Sequence, residues 1–90
     1  MMRNQYNNIL KSFFQQKVFQ RRNDLDISQE EMGHRLLMSG RSYVDLEHQK
    51  FGCSALTLAL FLTYLCPDRE AFLNELQKAF DDAEIRRKAV

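Results

Sequence analysis

At 90 residues the chain has room for one hydrophobic core and not two, and 44% hydrophobic with 28% charged residues is an ordinary globular balance that closes without metal or disulfide. Three Gly and one Pro leave little material for the turns of an all-β fold. A net charge of +1 excludes a uniformly basic surface, yet it hides an asymmetry. Arg3, Lys11, Lys17, Arg21 and Arg22 precede the first acid, residues 24–84 are net acidic, and Arg86, Arg87 and Lys88 follow.

In chain order, Ile9, Leu10, Phe13, Phe14 and Val18 recur at helical spacing and predict a first helix over 4–22. Asn23-Asp24 is expected to break it, with Leu25-Asp26-Ile27 as a link. Ser28-Gln29-Glu30-Glu31 reads as a capping box opening a short second helix through Leu36. Ser39 is a second cap, for a third helix over Gly40–Glu47 with Tyr43 and Leu46 on its apolar side. His48 to Cys53 reads as a loop. Ser54 caps a fourth helix, Ala55 to Leu65, and Pro67 ends it. Asp68 caps a fifth, whose buried stripe is Phe72, Leu73, Leu76, Ala79 and Phe80 and whose last turn holds Arg86 to Lys88. The expectation is an all-α, compact five-helix domain spanning 1–90.

Ala55–Leu65 is apolar around nearly its whole circumference, so it is buried on more than one side. Either the first and last helices wrap it, or part of it is a dimer interface. Cys53 and Cys66 flank this helix, whose ends lie roughly 15 Å apart, too far for a disulfide. With no secretory signal in view and no apolar run long enough for a bilayer, a reduced, cytoplasmic protein is expected.

Two short helices joined by a tight turn form the layout that presents a recognition helix to the DNA major groove. Ile27-Ser28-Gln29-Glu30-Glu31-Met32-Gly33-His34-Arg35-Leu36, then Met38-Ser39, Arg41-Ser42-Tyr43, Leu46-Glu47 and Lys50, carry the more specific signal. This stretch resembles, without a gap, the Xre or Cro-type repressor family, whose pattern reads roughly L-S-Q-E-E-L-A-x-x-L-G-(hydrophobic)-S-x-x-x-(hydrophobic)-x-x-L-E-x-G-K. The close match covers about 24 residues, with the motif over about 28–47. The resemblance implies a lambda-repressor-like helix-turn-helix fold binding double-stranded DNA as a homodimer, here through helices four and five. It puts Gln29 on a phosphate, Ser39, Gly40, Arg41, Val44 and Asp45 at base edges and nearby backbone, and Lys50 on the phosphate backbone. It also pairs Arg22 with Glu47, tying the first helix to the recognition helix.

The chain departs from this pattern at four places. Leu37 replaces the turn glycine, and a left-handed backbone would strain a leucine, so another turn conformation is expected there. Gly33 replaces an alanine and Gln49 a loop glycine. Gly40 and Asp45 weaken the reading positions: one has no side chain, and the other repels phosphate while it can accept from cytosine N4. Arg41 is therefore the best single base reader, bidentate to a guanine.

No second His or Cys stands at metal spacing from His34, so a solvated histidine is the better reading, and His48 falls in the loop. Phe13, Phe14 and Phe19 read as core rather than as a stacking platform, with Phe19 the most open. Arg86 to Lys88 either touch DNA or fray into solvent, the latter favoured. No nucleophile–base pair, phosphate loop or carboxylate pair is legible, so no enzyme activity, cofactor or small-molecule substrate is expected. The expected function is a sequence-specific regulator of transcription, a repressor. The alternative is a protein–protein module of helix-turn-helix descent, antitoxin-like or an adaptor.

Overall fold

The computed structural model describes residues 3–89, with side chains through Glu84. Among the described residues there are five helices and no strand: α1 (Arg3–Leu25), α2 (Gln29–Arg35), α3 (Gly40–Glu47), α4 (Ala55–Leu60) and α5 (Arg69–Ala89). The last turn after α4, Phe61–Leu65, is a π-turn. No described helix is long and apolar enough to cross a membrane.

Side-chain caps start four of the helices. Ser28 Oγ accepts from Glu31 N at 3.1 Å, Ser39 Oγ from Ser42 N at 3.0 Å, Ser54 Oγ from Thr57 N at 3.1 Å and Asp68 Oδ1 from Ala71 N at 3.0 Å. Each satisfies one amide that the first turn leaves without a helical partner.

The ends of α1, α2 and α3 share one device. After α1, Asp26 N bonds Asn23 O and Ile27 N bonds Arg22 O; after α2, Leu37 N bonds His34 O and Met38 N bonds Gly33 O. After α3, Gln49 N bonds Leu46 O and Lys50 N bonds Asp45 O. Each is a Schellman cap, which needs a left-handed residue just past the helix. Asp26, Leu37 and Gln49 fill those places with φ of 54°, 58° and 59°. Leu37 therefore adopts the left-handed turn that its side chain argued against. Its side chain is 75% exposed, so nothing but its own backbone opposes the conformation. The Asn23-Asp24 break is likewise corrected: α1 runs on to Leu25, and Asp26 stops it.

The core is Phe14, Val18, Met32, Leu36, Tyr43, Leu46, Phe61, Leu65 and Phe72, drawn from α1, α2, α3, the π-turn and α5. Edge-to-face rings carry it across the helices: Phe14 on Phe61 at 5.4 Å and Phe13 on Phe72 at 5.1 Å between centroids. Phe19 stays half-exposed, with Arg22 over its ring. Where α2 meets α3, a Cβ at Gly33 would lie 3.0 Å from Tyr43 Cβ and 3.1 Å from Ser39 O. Glycine there permits a close approach of α2 to α3 that a Cβ would obstruct.

The fourth helix is neither wholly wrapped nor wholly open. Thr57, Phe61 and Leu65 are buried, whereas Leu56 and Tyr64 are 61% and 77% exposed. The π-turn adds a residue to the last turn, which changes the register before Pro67. Its carbonyls are held by two arginines: Arg21 Nε on Leu65 O at 2.7 Å, and Arg69 on Leu62 O and Thr63 O at 2.6 and 3.0 Å. In α5, Phe72 is core, Leu76 packs against the core, and Phe80 meets Tyr6 of α1 edge-on at 5.0 Å. Phe72 and Phe80, expected to help form a dimer, are thus used by α1 of the same chain, whereas Leu73, expected in the buried stripe, is 53% exposed because it points away from α1 and the core.

Candidate nucleic-acid interface

The sequence gives α3 eight residues, too few to hold a helix without tertiary support. The support is a polar hub on Glu47. Arg22 Nε donates to Oε2 at 2.7 Å and Arg22 Nη2 to Oε1 at 3.4 Å; Gln29 Nε2 donates to Oε1 at 3.0 Å; and the Tyr43 hydroxyl donates to Oε2. Arg22 also donates from Nη1 to Ile27 O at 3.2 Å. α1, α2 and α3 thereby meet at one carboxylate, and Arg22 also ties in the α1–α2 link.

Burial alone would push the Glu47 carboxyl up, but donors from Arg22, Tyr43 and Gln29 outweigh it and hold the group below the usual glutamate range. The bond to Glu47 raises the Arg22 guanidinium against its own burial. Burial first, and then donation to Glu47, push the Tyr43 phenol upward. The hub is therefore ionised on Glu47 and Arg22 and neutral on Tyr43 around neutral pH.

With Tyr43, Leu46 and Glu47 turned inward, α3 presents Arg41 outward, with Asp45 half-buried beside it and Lys50 just past its end. Arg41 has 82% of its side chain exposed and Lys50 59%. Ser39 is engaged in capping, with its hydroxyl also on Ser42 Oγ at 3.0 Å. Gly40 opens α3 and faces α2: a Cβ there would lie 3.6 Å from Glu30 Cα. Val44 is half-buried. Gln29 is the first residue of α2, and the hub takes one of its amide hydrogens.

Two features escaped the sequence reading. Asp45 Oδ1 lies 3.5 Å from Arg41 Nε and 3.6 Å from Lys50 Nζ, so one carboxylate faces both outward cations. The i,i+4 spacing of Arg41 and Asp45 was the available signal for half of this. The second feature is the fate of the basic first helix. Lys17 pairs with Glu75 of α5, Arg21 holds the π-turn and Arg22 holds Glu47. Of the five early cations, Arg3 and Lys11 remain outside these internal pairs. Side chains of Arg86, Arg87 and Lys88 lie outside the described residues.

Compared with known proteins, the chain matches no family model, no curated protein and no solved structure. Among the described residues, no group of three or more His, Cys, Asp or Glu is arranged to hold a metal ion. Burial raises the Cys53 thiol, which disfavours its thiolate.

Proposed function

We propose that the chain binds duplex DNA as a sequence-specific, non-catalytic transcriptional regulator of Xre or Cro type, a repressor working in the cytoplasm. The observation that carries this reading is the pairing of a capped, eight-residue α3 with the Glu47 hub, which fixes the helix from behind and leaves Arg41 open in front. A recognition helix needs both rigid support and an unobstructed outer face. In this reading Arg41 reads a base edge. Lys50, the second Gln29 amide hydrogen and the first amides of α2 meet phosphates. A second copy docks against exposed Leu56 of α4, Tyr64 of the π-turn and Leu73 of α5, setting two α3 helices roughly 34 Å apart.

A second reading is a protein-binding module of the same architecture. Asp45 beside both Arg41 and Lys50 favours it, because the outer face then carries little free positive charge. Mobility shift of random duplexes across a salt series separates the two, followed by selection of bound sequences from the pool. Binding that falls with salt and enriches a pseudo-palindrome supports the regulator. Absence of any shift at low salt, with sedimentation showing only monomer, moves the second reading ahead.

A further inference from the structure

We infer that Asp45 is a specificity-determining residue: it holds Arg41 and Lys50 to its own carboxylate and so restrains the face from binding duplex DNA on backbone charge alone. This rests on the DNA-binding reading of the same face.

The geometry has two parts. Asp45 Oδ1 is shielded from solvent and has no hydrogen-bond partner, although it lies 3.5 Å from Arg41 Nε and 3.6 Å from Lys50 Nζ. The backbone places both cations beside it. Lys50 N–H donates to Asp45 O at 2.9 Å in the Schellman cap, which brings the lysine stem beside Asp45, and Arg41 stands one turn earlier.

The consequence follows from what each ligand offers. Both cations are mostly exposed and stand beyond hydrogen-bond distance of the carboxylate, so a polyanion can recruit them and uncover Oδ1. The carboxylate stays behind, however, and repels every phosphate those cations attract. A phosphate has no donor for the unbonded Oδ1. A base edge does: cytosine N4 and adenine N6 each carry a donor in the major groove. A sequence that presents such a donor satisfies Asp45, whereas random DNA leaves it opposed. Asp45 therefore lowers affinity for random sequence more than for the preferred site.

The test compares Asp45→Asn with Glu70→Gln, which removes the same charge from an exposed position at the start of α5. The probes are heparin and a random-sequence duplex pool. One further counterion released at about 0.15 M salt corresponds to roughly fivefold tighter binding. Asp45→Asn should gain about that factor on random duplex, steepen the salt slope by about one and elute from heparin at higher salt than Glu70→Gln. Adding Arg41→Gln or Lys50→Gln to Asp45→Asn should abolish the gain. Circular dichroism checks folding, and Asp45→Ser supplies a second charge-free side chain. If wild type binds duplex and both Asp45 variants merely equal Glu70→Gln, the restraint is wrong and the DNA reading stands. If no protein binds duplex while the Asp45 variants exceed Glu70→Gln on heparin, the cations are held as described and the DNA reading fails. A gain that survives loss of both cations overturns the inference.

Discussion

Arg22 Nε and Glu47 Oε2 meet at 2.7 Å, joining the end of α1 to the last turn of α3. The contact is largely dry, with 16% and 5% of the two side chains exposed. A pair in this setting contributes less by its own attraction than its disruption removes, because either charge alone is stranded. Arg22→Ala should therefore destabilise the fold by about 2–4 kcal/mol, near the lower end of buried pairs because Arg22 keeps some contact with water. Chemical denaturation of wild type and variant measures this. A loss below about 0.5 kcal/mol, typical of surface pairs, would show that the hub does not support α3.

The same hub sets a dependence on acid. Glu47 has its folded-state pKa below the ordinary glutamate value. Its contribution is therefore present above the unfolded pKa and is lost as pH falls through the folded one. Wild type should begin to lose stability as pH falls below about 5, where a free glutamate starts to protonate, and go on losing it through the lower folded-state pKa. Glu47→Gln should be less stable at neutral pH, and the gap between the two proteins should narrow as pH falls. Thermal melts at a series of pH values follow it; a gap that stays constant into acid would mean Glu47 is not ionised in the fold.

Helix starts were legible, because a cap is a local matter. Ser28, Ser39, Ser54 and Asp68 each bond an amide three residues on, as their positions before apolar runs suggested. Helix ends were less so. Leu37 and Gln49 stand where a left-handed residue is required and neither is glycine, so side-chain preference pointed away from the conformation that three converging helices impose. The π-turn was hidden because an inserted residue leaves no mark in an all-apolar segment. Arg21 and Arg69, which hold its carbonyls, are distant from it or beyond Pro67 in sequence. The outer face was half legible. Its residues were named by position, but Asp45 facing Lys50 depends on how the chain turns after α3.

Those left-handed residues yield a prediction of gain. A non-glycine residue in this region is disfavoured by roughly 1–2 kcal/mol, while glycine loses about 0.5–1 kcal/mol more entropy on folding. Leu37→Gly should then stabilise by about 0.5–1 kcal/mol, since its exposed side chain forfeits little burial. Gln49→Gly should gain slightly less, because Gln49 Nε2 donates to Gln15 Oε1 at 3.4 Å. Asp26→Gly should gain least, aspartate being tolerant of the conformation. Melting temperatures would rise by about 2–8 °C for the first. A fall in stability for Leu37→Gly would mean that the turn is not left-handed.

The outer face makes the sharpest separation between two single variants. On the proposed DNA reading, Arg41, open at the front of α3, would bridge guanine O6 and N7, and Lys50, past the end of α3, would meet phosphate. Most early cations are held internally, so few charges reach phosphate and the salt slope should be shallow, about four phosphates per subunit at roughly 0.9 each. Arg41→Ala should lose about 1–3 kcal/mol on the preferred site and flatten discrimination at one base pair, with little effect on scrambled duplex. Lys50→Ala should weaken all sequences alike and lower the slope by about one. Because Asp45 faces both cations, each loss also leaves that carboxylate less compensated. Some nonspecific weakening therefore accompanies Arg41→Ala, and the selective part is what remains after subtracting the scrambled duplex. Titrations of preferred and scrambled duplexes at several salt concentrations supply all four quantities. Equal losses on both duplexes for Arg41→Ala would remove it as a base reader. No change for either variant would shift the function of this face from DNA to a protein partner.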